Sequence, residues 1–145
     1  MCNAEIYENV RIQYNKYHIK FLLDHLKEFV VTNSFDNLDD MSSLLKSIIT
    51  KLEEAINSIK EAENLRKDYY TSKFFYYCYD KGIFDILTII IVFSYEEAIT
   101  LLYFLNNITK NVNNKIIINK LTKEIEKKIS SYKAWLDYKK IRTNT

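Results

Sequence analysis

The stretch Ile83-Phe84-Asp85-Ile86-Leu87-Thr88-Ile89-Ile90-Ile91-Val92-Phe93 decides how the rest of this sequence is read. Its β-branched residues suit a strand. A strand, however, needs a neighbour to satisfy its backbone N–H and C=O groups, and no second run of comparable apolarity offers itself. The stretch therefore reads as a central helix buried almost all round, covered by amphipathic helices. Asp85 and Thr88 interrupt it. A membrane-spanning helix needs about 20 consecutive, mostly apolar residues, so the expectation is a soluble, cytoplasmic protein.

Both ends of the stretch carry helix punctuation. Gly82 precedes it and is the single glycine of the chain, which has no proline at all. Glycine accepts the left-handed conformation of a helix C-terminal stop, so a helix should end there. On the other side, Ser94-Tyr95-Glu96-Glu97 has the spacing of a capping box. Phe93 is placed to staple onto Ala98, and Ala98, Ile99, Leu101, Leu102 and Leu105 form the next helical face.

Further outward, helical periodicity dominates. Ile6, Val10, Tyr14, Tyr17 and Phe21 recur at spacings of three or four, widened by Ile19, Leu22, Leu23, Leu26 and Phe29. This predicts a first helix over Ala4–Val31, followed by a loop over Thr32–Asn37. Leu38, Met41, Leu45, Ile48, Leu52, Ala55, Ile59 and Ala62 continue the alternation of three and four over more than three heptads. Asp36, Asp39 and Asp40 stand at its start, where carboxylates favour the helix dipole. Leu44, Ile49 and Ile56 make the face wider than a two-stranded seam, which favours packing inside a bundle over a zipper. The pattern then either continues past Arg66 to Lys81 or breaks near Thr71-Ser72. Asn106-Asn107 and Asn111 to Asn114 mark a loop. A last helix over Lys115–Lys140 presents Ile117, Leu121, Ile125, Ile129, Tyr132 and Leu136 on one face, with residues 141–145 as a frayed tail.

The fold expectation is thus an all-α, single-domain bundle of five or six helices around a central apolar helix. A chain of 145 residues fits one domain with a real core. Cys2 and Cys78 make neither a disulfide framework nor a metal-ligand spacing, which points to a reducing compartment. The N-terminus lacks the basic and apolar regions of a signal peptide. Abundant Ile, Lys, Asn, Tyr and Phe with scarce Gly, Pro, Ala and Arg is the usage of an AT-rich genome, such as that of a virus, phage, low-GC bacterium or protozoan.

Much motif-based chemistry is excluded. One glycine cannot build a dinucleotide loop, a P-loop or a nucleophile elbow. His18 and His25 lie two helical turns apart, about 10.5 Å, too far to share one ion. The pairs Asp39-Asp40, Glu53-Glu54 and Glu96-Glu97 are adjacent in sequence and do not face each other on a helix. The expectation is a non-enzyme with no cofactor and no metal.

Two features remain. Tyr69, Tyr70, Phe74, Phe75, Tyr76, Tyr77 and Tyr79 crowd into one short segment. On a helix such rings point in every direction, and one core face cannot absorb them all. Tyr70, Tyr76 and Tyr77 are the candidate partner-binding residues, since tyrosine combines a large apolar body with a polar tip. The second feature is charge. Residues 115–145 hold nine Lys or Arg against three acidic residues, a net of +6, in a chain whose total is +2. Lys120, Lys123, Lys127, Lys128, Lys133, Trp135, Lys139 and Lys140 form a basic, aromatic-interleaved helix suited to phosphate backbones, an acidic surface or an anionic membrane. The leading expectation is a protein-interaction module, an adaptor or inhibitor acting through aromatic anchors. The alternatives are a nucleic-acid-associated protein using the basic helix, and a homo-oligomer assembled through helix 38–62.

Overall fold

A computed structural model describes residues 9–33, 40–67, 72–85, 88–108 and 113–143. Among them the chain forms β1 (Val10–Asn15), α1 (Lys16–Asn33), α2 (Asp40–Lys67), α3 (Ser72–Lys81), β2 (Ile83–Asp85), β3 (Thr88–Phe93), α4 (Tyr95–Asn107) and α5 (Lys115–Thr143). The protein is predominantly helical but not all-α: a three-stranded sheet, ordered β1-β3-β2, replaces the expected central helix.

The missing strand partner lies where a helix was expected. In β1, Val10, Ile12 and Tyr14 are buried while Arg11 and Gln13 are exposed. That is the period-two alternation of a half-buried strand. Val10 and Tyr14 are four apart, a spacing that suits both a helix and a strand. Ile12 discriminates. On a helix it would lie about 200° from Val10; on a strand it shares Val10's face, as observed. Among the described residues the helix expected over 4–31 begins only at Lys16: Asn9 forms a bend and residues 10–15 form β1, while residues 4–8 lie outside those described.

Asn15 makes the change of structure. Its side-chain Oδ1 accepts from the backbone N–H of His18 at 2.8 Å, capping α1. The helical phase then restarts, so the stripe Val10, Tyr14, Tyr17, Phe21 spans two different elements. Ile19, Leu22, Leu23 and Leu26 form the buried face of α1, while Tyr17 is 67% exposed.

The apolar stretch itself divides into β2 and β3, which pair antiparallel with Ile83 opposite Ile89 and Asp85 opposite Thr88, an irregular register. In β3, Ile89, Ile91 and Phe93 are buried, Thr88 and Ile90 half-buried. A strand flanked on both sides and partly covered on its second face reads as a continuous apolar run, which is why alternation is hard to see there. Gly82 ends α3 as expected, with φ +71°, and its carbonyl accepts from the Ile90 N–H at 3.1 Å. The same glycine thus stops a helix and opens a hairpin.

The chain divides into two compact units, Gln13–Ile91 and Met1–Ile12 with Val92–Thr145. In the first, α1 packs on α2, α2 on α3, and α3 on β2. The heptad-like residues Leu45, Ile48, Leu52, Ala55, Ile59 and Ala62 are all buried. Lys16 pairs with Glu63 at 3.1 Å and Lys27 with Glu53 at 3.9 Å. Rising numbers on α1 meet falling numbers on α2, so the two helices are antiparallel. Helices α2 and α3 are described to Lys67 and from Ser72, and the break expected near Thr71-Ser72 falls at residues 68–71, outside the described residues.

In the second unit α4 packs on α5. Ser94 caps α4 through a complete capping box: its hydroxyl accepts from the Glu97 N–H at 3.1 Å, and its own N–H donates to Glu97 Oε1 at 2.7 Å. Glu97 is a buried carboxylate held by the reciprocal bond. Ala98, Leu101, Phe104 and Leu105 of α4 and Ile118, Leu121, Ile125 and Ile129 of α5 are buried in this unit, and Tyr95 stacks on Tyr132 with centroids 5.0 Å apart. The last helix runs to Thr143 rather than Lys140. No helix among the described residues is long and apolar enough to cross a membrane.

Candidate functional site

Helix α3 has the sequence SKFFYYCYDK. Its inward arc is Phe74, Tyr77 and Cys78: Phe74 is buried, and the other two are half-buried. These positions follow the spacing of three and four by which a short helix meets a core. The remaining aromatic residues turn outward. Phe75 is 58% exposed, Tyr76 76% and Tyr79 89%. At about 100° per residue, Phe75, Tyr79, Ser72 and Tyr76 follow one another around roughly 100° of the helix circumference. The outer arc is therefore three contiguous rings with one serine among them.

The structure divides the expected trio. Tyr76 stands at the edge of the outer arc. Tyr77 belongs to the inner arc with Phe74 and is half-buried there. Tyr70 lies outside the described residues. Phe75 and Tyr79 take their place, two residues that composition alone did not single out. The signal that finds them is phase: once Phe74 and Cys78 face inward, Phe75 and Tyr79 must share the opposite side. Phe75 also meets Phe74 edge to face, with centroids 5.4 Å apart.

Charge flanks this arc. Lys73 and Asp80 are both exposed. They are seven residues apart, about two turns, and so occupy the same side of α3, one near each end. Cys78 sits beneath on the inner arc, where burial raises its thiol above the ordinary value. A thiol so placed is a weak nucleophile.

The basic helix resolves into one stripe and outliers. On α5, Lys120, Lys123 and Lys127 are exposed and share an arc of roughly 60° opposite the buried Ile118, Leu121, Ile125 and Ile129. Lys128 and Lys133 are exposed but lie on opposite flanks of the helix. Trp135, Lys139 and Lys140 fall within α5, and their side chains lie outside those described.

The histidines have structural surroundings. His18 is buried at the start of α1 with its ring edge-on to Tyr14, at 6.1 Å between centroids. His25 Nδ1 lies 2.9 Å from the Phe21 carbonyl, and its ring packs on the Phe21 ring. Among the described residues no group of three His, Cys, Asp or Glu is arranged to hold a metal ion. In the expected assembly helix, residues 38–62, the apolar seam from Leu45 to Ala62 is buried within the chain.

No known family model matches the sequence, and no curated protein or solved structure is significantly similar to it.

Proposed function

We propose that this protein is a protein-interaction module whose contact surface is the outer face of α3. The observation that carries the reading is the exposure of Phe75, Tyr76 and Tyr79 on one contiguous arc. Taking ~200 Å² for a whole ring, the three present roughly 450 Å² of aromatic surface. Single exposed apolar residues need no explanation, whereas a contiguous patch of this size matches the largest patch of a typical monomer, which is often functional. Rigid aromatic rings are also the side chains that dominate binding energy at protein interfaces. The test compares the tagged chain with a Phe75→Ser, Tyr79→Ser variant in capture from a lysate of the natural source. A stoichiometric protein retained by the first and lost by the second, with both showing the same circular dichroism, supports the reading. Equal retention by both removes it.

A second reading rests on the α5 stripe. Lys120, Lys123 and Lys127 crowd one arc, with Glu124 at its edge about 40° from Lys120. Such a row suits phosphate contacts, which position a protein on nucleic acid without reading sequence.

A further inference from the structure

We infer that the partner at the outer face of α3 is a second copy of this chain, packed antiparallel across a two-fold axis. The inference rests on the reading of that face as a docking surface and names its occupant. The ground is self-complementarity. A two-fold interface brings the same patch of both copies together, so residue i meets j and j meets i. When two antiparallel helices meet about such an axis, the same flank of each faces the other with its ends exchanged. Lys73 near the start of α3 and Asp80 near its end occupy one flank, both exposed. The exchange sets Lys73 of each copy beside the partner copy's Asp80, twice in the dimer. A parallel two-fold would carry this flank to opposite sides of the seam in the two copies and leave Lys73 and Asp80 without a partner charge, so only the antiparallel form pairs them. The same exchange brings Phe75 of one copy to Tyr79 of the other, because both sit on the outer arc about one turn apart. Edge-to-face or offset stacking of rings is the contact this permits.

Area decides the strength. Stable interfaces bury about 800 Å² on each partner, and the three rings supply roughly 450 Å². The dimer is therefore weak and reversible, with monomer and dimer exchanging as concentration changes.

Sedimentation equilibrium over about 10 µM to 1 mM, the range that reports a micromolar dissociation constant, provides the test. The apparent mass is expected to rise from 17.4 kDa toward twice that value. Lys73→Asp alone and Asp80→Lys alone should each weaken association by about tenfold or more, because each reversal sets two like-charge contacts into the dimer. The double variant Lys73→Asp, Asp80→Lys should recover it, as coupled partners do in a mutant cycle. Both positions are exposed, so folding is retained, and circular dichroism verifies this. A mass constant at the monomer value throughout the range overturns the proposal, as does association that the single reversals leave unchanged or that the double variant fails to restore. The broader reading is scored separately: a monomeric chain whose captured heterologous partner is lost on Phe75→Ser, Tyr79→Ser overturns the second copy and leaves the docking surface standing.

Discussion

Single residues hold the corners of this fold. Gly82 adopts a φ that L side chains resist. An added Cβ would come no nearer than 3.9 Å to the Ile90 Cβ, so the cost of a side chain is conformational and not steric. Gly82→Ala is expected to destabilise by about 1–2 kcal/mol in urea denaturation, the cost of holding an L residue in the left-handed region. Ser94 was legible from sequence because a capping box is local: four residues define it, whatever the rest of the chain does. Ser94→Ala should cost about 1 kcal/mol, and more than substitution of the exposed Ser130 on the same assay, which should fall within about 0.5 kcal/mol. Cys78 illustrates the opposite case. Its burial is set by packing, and burial raises the thiol's titration point. At neutral pH less of it is thiolate than in an unstructured peptide, so iodoacetamide should modify it more slowly in the folded chain than after denaturation. An equal or faster rate in the folded chain would contradict that placement.

At the scale of elements, helices α2, α4 and α5 were readable because their apolar period is long or their caps are explicit. The strand β1 was not. Six residues give too few repeats to separate a period of 2 from 3.6 when Val10 and Tyr14 satisfy both. Substitution separates them: Ile12→Ala should cost about 2–5 kcal/mol as a core truncation, and Arg11→Ala should stay within about 0.5 kcal/mol. Comparable costs for the two would contradict the alternation. In α3 the sequence showed an excess of rings but not their phase, and the division between Phe74, Tyr77 and Cys78 inside and Phe75, Tyr76 and Tyr79 outside comes from what α3 packs against. On α5, a nucleic-acid role for Lys120, Lys123 and Lys127 has a measurable signature. Three phosphate contacts give a slope near −3 in log binding constant against log salt on duplex DNA, and replacing all three with Gln should flatten it. A slope unchanged by the triple replacement would remove the stripe from the interface.

The whole molecule shows the effect of composition on its folding. A chain without proline has no prolyl bond to isomerise. Refolding from denaturant should lack the slow phase of 10–100 s that prolyl isomerisation produces, and added prolyl isomerase should leave the kinetics unchanged. A slow phase accelerated by the enzyme would contradict this. The sheet order β1-β3-β2 places together segments nearly eighty residues apart, a long closure for the chain to make. Composition and local periodicity, acting over one to four turns, determined that the chain is mainly helical, that α2 spans a long apolar seam, that Gly82 stops a helix and that Ser94 starts one. Only the tertiary structure decided that residues 83–85 and 88–93 are strands, that residues 10–15 join their sheet, and that Phe75 and Tyr79 are exposed while Tyr77 is half-buried. Caps and helical stripes are settled by neighbours a few residues away, whereas a strand exists only when a distant segment completes its hydrogen bonds, and a ring is buried only when another element covers it.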